Sequence, residues 1–384
     1  MEQKILNICV NGIYTDGYTY HENLLPKYQK KNGNEVYILA SEYEYDKERR
    51  ISKTNITEYV DENNIFVKRL KINGNHNILY KFKRFDGFYE TLEKIKPDII
   101  FCHLFQFLDV DNVIKYKRKH PEVRVYFDSH ADKINSARTI LSLKVLHGII
   151  WKHYAKSAYA ICEKFYGVSP ARVQFLREVY QLPSKKSELL VMGADDDMIE
   201  VAELEDTKRE TQKRYGVSDS DFVVVTGGKI DKSKWQVMNL MKVADRLPIK
   251  LFVFGSISED IKDEFFQLTT EKVEFIGWLN EQQAYNLFAI SQMAVFPSTH
   301  SVYWEQVTGQ GIPMIVRHWD GFEHLDLRGN LKYIYTDTCD ELYDVMKESI
   351  YEDQWRKMKK VAEEKGRIKF SYRSLAKMSV EKER

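Results

Sequence analysis

Hydrophobic residues in this chain fall into short unbroken runs, separated by longer stretches in which apolar positions recur every three or four residues. The runs ILNICV (5–10), EVYILA (35–40), PDIIFCHL (97–104), VRVYF (123–127) and AYAICEKFYGVS (158–169) have the length and continuity of buried strands. Amphipathic segments such as HENLLPKYQKKNG, which follows the first run, lie between most of them. Strand, helix, strand alternation predicts parallel pairing through right-handed crossovers. The pattern then starts again with DFVVVTGG (221–228), IKLFVFG (249–255), VEFIG (273–277), QMAVFPS (292–298), IPMIV (312–316) and LKYIY (331–335). Helical segments such as KWQVMNLMKVADRL and SEDIKDEFFQL separate these six strand candidates. Between the two series, GADDDMIEVAELEDTKRETQKRYGVSDSD is charged and poor in large apolar residues, as a linker followed by a short helix should be.

A chain of 384 residues exceeds one ordinary core, so the doubled pattern predicts two α/β domains, 1–198 and 199–366, with the site expected in a cleft between them. In the last helix-like segment, Gly366 offers a place to bend. Lys plus Arg (58) nearly balances Asp plus Glu (57), so no global field recommends nucleic acid or an acidic polymer as partner, and any phosphate binding must be local. Cys9, Cys102, Cys162 and Cys339 are scattered, which suggests neither a disulfide framework nor a metal site. They read as small buried hydrophobes in a reducing compartment. The first apolar run is too brief for a signal segment and none reaches the length of a membrane span, so a soluble cytoplasmic protein is expected.

The chemistry concentrates in two stretches of the second half. VVVTGGKIDKSKWQ (223–236) ends a strand in Thr226, Gly227 and Gly228, with Lys229 and Lys234 following at once. It matches neither the P-loop nor the G-x-G-x-x-G pattern. Glycines there allow close backbone approach to an anion, and the lysines supply cationic donors to more than one phosphate oxygen; the alternative is a solvated lysine-rich loop. In FPSTHSVYWEQVTGQGIPMIV (296–316), Ser301 reads as the N-cap of a short helix whose amides would hold a second anionic oxygen. Glu305 or Gln306, one turn on, would accept from ribose hydroxyls; the alternative is a capped helix with a solvent-facing carboxylate.

The order of these pieces resembles the donor domain of GT-B glycosyltransferases, in particular the retaining family-4-like group. The motifs that carry the resemblance are Gly228-Lys229-Ile230 with Lys234, then Phe275-Ile276-Gly277, Pro297-Ser298, Glu305-Gln306 and Gly311-Ile312-Pro313. GVSPARVQFLREVYQLPSKKSELLVMGADDD also looks like the passage that closes that family's first domain, so the resemblance covers most of the chain. It implies an α/β fold of two Rossmann-like doubly wound domains facing a central cleft, with a C-terminal helix of about 367–384 packing back on the first domain.

The resemblance further implies a nucleoside-diphosphate-sugar donor, UDP favoured and GDP the alternative. Gly17, Gly228, Lys229, Lys234, Ser301, Val302 and Tyr303 would hold its diphosphate, Glu305 and Gln306 its ribose or sugar, and Trp278 and Leu279 its base. His130, in VYFDSHAD after another strand end, matches a histidine the family places near the reacting sugar, with Asp128 and Asp132 as neighbours. His130, Lys229 and Lys234 would be the catalytic residues. No metal or other cofactor is expected, and the acceptor would be a glycan, a lipid-linked molecule or a protein, in bacterial surface polysaccharide or glycoconjugate synthesis. Two departures stand out: the family's first glutamate has no counterpart, and counting back from Gly311 puts Gln306, not Glu305, at the second. HWDGFEHLDLRGN (318–330) corresponds loosely to a donor-side loop in which Trp319, Glu323 and His324 would touch a sugar, or else is a surface loop. The stretches 80–95 and 114–124 mix basic and aromatic residues, so they are either a peripheral membrane contact or ordinary helix faces. The competing functions are a nucleotide-sugar epimerase of the same fold and a non-catalytic companion subunit of a transferase complex.

Overall fold

The computed structural model describes residues 2–133 and 136–381. The chain folds as two compact units: Met1–Val191 with Tyr372–Arg384, and Met192–Ser371. The strands of the first unit are β1 (Lys4–Cys9), β2 (Glu35–Ser41), β3 (Tyr43–Tyr45), β4 (Ile51–Lys53), β5 (Glu58–Val60), β6 (Phe66–Leu70), β7 (Ile99–Cys102), β8 (Arg124–Ser129), β9 (Lys164–Gly167) and β10 (Ser187–Leu189). Eight of them form one sheet in the order β10-β9-β8-β7-β1-β2-β6-β5, while β3 and β4 make a separate hairpin. Every neighbour in the large sheet is parallel except the β5–β6 pair at its edge. The winding reverses between β1 and β7, and a doubly wound sheet binds ligands beyond the carboxyl ends of its strands at such a reversal.

The second unit contains β11 (Val223–Ile230), β12 (Lys250–Ile257), β13 (Val273–Phe275), β14 (Met293–Phe296), β15 (Met314–Arg317) and β16 (Leu331–Ile334). Their order is β13-β12-β11-β14-β15-β16, wholly parallel, with the reversal between β11 and β14. Each unit has its own core. Leu6, Ile8, Ile100, Val125 and Phe127 are fully buried in the first, and Val224, Leu251, Val253, Met293 and Ile315 in the second. Apolar runs without alternation therefore became strands covered on both faces. Cys9, Cys102 and Cys162 are buried free thiols within such surroundings.

Three local expectations need correction. In AYAICEKFYGVS only Lys164–Gly167 is strand; the start of the run finishes a helix (Lys152–Ile161) that buries Ala155 and Ala158, three positions apart. The strand β6 went unseen because Lys68 and Arg69 interrupt its apolar residues. Arg69 is nevertheless buried, and its guanidinium donates to the carbonyls of Tyr14, Ser41 and Tyr43. Finally, Gly366 is not where the chain bends, since it continues a helical path (φ −66°). A Cβ there would lie 2.2 Å from the Thr308 carbonyl oxygen, so the glycine serves close packing. The last helix, Tyr372–Met378, then lies on helix His21–Lys31 within the first unit, with the rings of Tyr372 and Tyr28 stacked at 6.4 Å. Among the described residues, no helix is long and apolar enough to cross a membrane.

Candidate functional site

At the reversal of the second sheet, β11 pairs with β14 only at Val224 and Val225, but with β12 as far as Ile230. The strand thus does not stop at Gly228 as expected; it is the β14 side that falls away, opening the sheet beside the two glycines. Gly228 (φ +120°) lies in register with Gly255 (φ +118°), and a Cβ on Gly255 would stand 2.0 Å from the Gly228 carbonyl oxygen. A Cβ on Gly227 would run into the Phe254 ring at 2.4 Å. Toward the opened side, the nearest groups to a Cβ on Gly228 are Ser301 Oγ and the Tyr303 ring, both at 3.9 Å. The ring of Tyr303 meets Phe254 edge-on at 5.1 Å, so the loop after β14 is braced against β12.

Both lysines sit at this end of β11. Lys229 has a 75 % exposed side chain, and its Nζ lies 3.6 Å from Asp231 Oδ2. Asp231 caps the short helical turn Lys232–Lys234 by accepting from the Ser233 amide at 2.9 Å. Lys234 ends that turn. Burial holds its ammonium below the ordinary lysine value, with Asp231 opposing the shift and the charge of Lys229 adding to it. An anion placed here would relieve both the desolvation and the repulsion.

The loop after β14 departs from expectation at its helix. The helix is Tyr303–Gly309, with Val302 rather than Ser301 at the cap position. Ser301 Oγ accepts from the Tyr303 amide at 3.4 Å, and Val302 is 66 % exposed. Glu305 is not solvent-facing. Its side chain is 1 % exposed, His300 Nε2 lies 3.0 Å from both of its oxygens, and His324 Nε2 lies 3.2 Å from Oε1. Burial alone would raise this carboxyl, but the two histidines more than reverse that and hold it well below the usual carboxylate range. Gln306, half-buried on the same helix, is left as the more accessible of the two ribose candidates. His324 therefore serves Glu305, while Trp319 Nε1 donates to the Ser298 carbonyl at 3.3 Å and Glu323 accepts from the Gly321 amide. Following β13, Trp278 is 55 % exposed and Leu279 is buried.

In the first unit the structure turns Gly17 away from a phosphate role. Its amide donates to Glu62 Oε1 at 3.0 Å, next to Asp16 and Asp61, whose carboxyls are pushed up, chiefly by burial. Three carboxyl groups make this a poor seat for a diphosphate. In the basic and aromatic stretches, Phe85, Phe88 and Tyr116 are core, Lys83 Nζ donates to the Asn11 and Ile78 carbonyls, Arg84 pairs with Asp109 and Asp111, and Lys115 Nζ lies 4.3 Å from the centre of the Tyr89 ring.

His130 belongs to a cluster that sequence reasoning saw only in part. At the carboxyl ends of β1, β7 and β8, the fully buried Asp128 Oδ2 is surrounded by His103 Nδ1 at 3.3 Å, His21 Nε2 at 3.6 Å and His130 Nε2 at 3.8 Å. His21 and His103 are buried, and His130 keeps 26 % of its side chain exposed. Burial pushes the His21 imidazole down to about 3, so it is neutral. The missed signal was that His103 follows β7 directly and His21 opens the helix after β1, both beside the reversal of the sheet. Asp132 does not join the cluster; it pairs with Arg172 at 3.3 Å. A concavity of about 800 Å³ in this unit, lined by Gln3, Asn34, Lys117 and Arg124 among others, opens at the opposite, amino ends of the strands and contains none of these groups.

No family model and no curated protein matches the chain. Solved structures do. A glycosyltransferase from Rickettsia africae superposes with a TM-score of 0.67 at 14 % identity, covering 98 % of this chain and 96 % of that one. Anabaena HepE in complex with UDP and glucose gives 0.63 at 13 % identity, with 98 % of each chain covered. The UDP-GlcNAc 2-epimerase from Neisseria meningitidis bound to UDP-GlcNAc gives 0.63 at 12 %, again with 98 % of each covered. Likeness over nearly the whole chain at such identities is likeness of fold. The chain has the GT-B fold, built from two Rossmann-like doubly wound domains.

Proposed function

We propose that this protein is a retaining glycosyltransferase that moves a sugar from a nucleoside diphosphate, UDP by preference, to a hydroxyl acceptor. The observation that carries the reading is the opened glycine end of β11, where Lys229 and Lys234 stand at the reversal of the second sheet. HepE and the epimerase, both described with uridine nucleotides, supply the preference for UDP. In this reading the two lysines hold the diphosphate and Gln306 contacts the ribose. The bond between the sugar carbon and the diphosphate oxygen breaks, and its electron pair goes to the diphosphate. Fixed positive charge there stabilises the transition state more than the ground state, without a metal ion at the diphosphate. The acceptor oxygen bonds to the same sugar carbon from the same face, and its proton passes to the departing diphosphate. His130 is the group of the first unit that would orient the acceptor or a sugar hydroxyl. The biosynthetic setting remains that of a surface polysaccharide or glycoconjugate.

The test is a thermal-shift panel of UDP, GDP, TDP, CDP and ADP without added metal, on the wild type and Lys229→Ala. A nucleotide at a hundred times its dissociation constant adds about 2.7 kcal/mol to stability. One nucleotide should raise the melting temperature of the wild type and raise that of the variant much less. Release of that nucleotide from its sugar conjugate should then require an acceptor. Isomerised nucleotide-sugar formed without acceptor would favour the epimerase, whose superposition is as good as that of HepE. Indifference to all five nucleotides would overturn the donor site and favour a non-catalytic companion.

A further inference from the structure

The side chains around Asp128 pose a problem that hydrogen bonds do not solve. Asp128 Oδ2, His103 Nδ1 and His21 Nε2 are buried, lie within 4.8 Å of one another, and lack a hydrogen-bond partner among the described residues. The contacts behind them determine what they present to each other. Ser379 Oγ donates to the Ala376 carbonyl and accepts from Gln29 Nε2 at 3.2 Å. Gln29 Oε1 then accepts from Asn7 Nδ2 at 2.7 Å, which leaves Asn7 Oδ1 to accept from His103 Nε2 at 3.1 Å. A neutral His103 with its hydrogen on Nε2 turns the lone pair of Nδ1 toward Asp128. The carboxylate's other oxygen, Oδ1, already accepts from the Leu104 amide at 2.8 Å, so Oδ2 is the oxygen turned inward.

Lone pairs of oxygen and nitrogen thus face each other at 3.3 Å in a region closed to water, and a positive centre is required between them. Protons on His103 Nδ1 and His21 Nε2 would have to span 3.3 and 3.6 Å to Asp128 Oδ2, longer than the roughly 2.7–2.9 Å of a charge-assisted hydrogen bond. A metal ion satisfies all three atoms. Tetrahedral zinc with nitrogen and oxygen ligands at about 2.0–2.1 Å has ligand-to-ligand edges of about 3.4 Å. The separations of 3.3 and 3.6 Å from Asp128 Oδ2 to His103 Nδ1 and His21 Nε2 fit a cage of that size. The surroundings have the form such ligands need, because each buried histidine bonds through its other nitrogen, His103 to Asn7 and His21 to the Tyr372 hydroxyl at 3.1 Å.

We infer that His21, His103 and Asp128 form a three-ligand site for one divalent transition-metal ion of the zinc class. Imidazole nitrogen with one carboxylate selects this class over magnesium or calcium. All three ligands belong to the first unit, so the site is distinct from the lysines proposed to hold the diphosphate.

The test uses the full chain, purified without chelator for elemental analysis, then stripped and titrated with Zn²⁺ or Co²⁺. One ion per chain is expected, together with a higher melting temperature and, with Co²⁺, the intense visible absorption of a tetrahedral nitrogen–oxygen site. Asp128→Asn should weaken binding about 10-fold or more, and His103→Gln should abolish the cobalt spectrum. A wild-type chain that melts cooperatively, holds no stoichiometric ion and gives no tetrahedral cobalt spectrum would overturn the inference. So would Zn²⁺ binding equally strong in both variants. These readouts do not depend on transferase activity, so this site and the donor site stand or fall separately.

Discussion

Replacing Glu305 by glutamine separates a structural carboxylate from a ligand-binding one. Glu305 is 1 % exposed and contacts His300 at 3.0 Å and His324 at 3.2 Å. A hydrogen bond to a charged group contributes about 1.5–3 kcal/mol. Glutamine keeps one acceptor oxygen but turns an NH₂ group toward the second histidine, so the loss should be about 2–3 kcal/mol. At about 2–4 °C per kcal/mol for a unit of this size, Glu305→Gln should melt roughly 4–12 °C below the wild type at pH 7. The sign of the pH dependence follows from the depressed carboxyl: its stabilisation is complete above the unfolded value of about 4.3 and is lost as pH falls toward the folded value. The two melting curves should therefore converge below about pH 4. Nucleotide-induced stabilisation, measured in the same scans, should survive Glu305→Gln and shrink in Gln306→Ala. A variant with wild-type melting at pH 7 but no response to nucleotide would refute the reasoning, since Glu305 would then be a donor contact and not a brace for two histidines.

Gly255→Ala places a Cβ 2.0 Å from the Gly228 oxygen at a φ of +118°, so a loss of more than about 3 kcal/mol is expected in urea unfolding, together with a weaker nucleotide response; a near-neutral result would mean the β11–β12 contact is looser than described. A diphosphate beside Lys234 should return its depressed ammonium toward the ordinary value. Binding at alkaline pH should then take up a proton, and affinity should fall as pH rises through the depressed value. Calorimetry in two buffers of different ionisation enthalpy measures that proton directly, and its absence would remove Lys234 from the site.

The six strand candidates of the second half all became strands, because continuous Val, Ile and Phe runs have few alternatives once both faces of a parallel sheet are covered. The glycine–lysine end of β11 was legible for a related reason: adjacent small residues at a strand end mark backbone that nothing larger fits. What stayed hidden depends on contacts across the sequence. Glu305 looked solvent-facing on a short helix, and only folding brings His300 and His324 to it. Gly17 looked like a phosphate loop until Glu62, from a separate turn, took its amide. His21 and His103 were unremarkable in their own segments, since no local pattern announces that strand ends far apart in sequence will share one carboxylate.

The chain's last helix has a consequence for the order in which the protein is made. Tyr372 bonds to His21, and Ser379 closes the line of contacts that runs through Gln29 and Asn7 to His103. Ribosomal synthesis delivers the first unit's sheet early, yet these two residues emerge only after the whole second unit. The nascent first unit must wait with its buried histidines incompletely supported, and a chain cut short before residue 372 would never complete them. A ribosome that stalls late in the message therefore leaves a product with both sheets and an unfinished first unit, a species that quality-control proteases can tell from the finished protein.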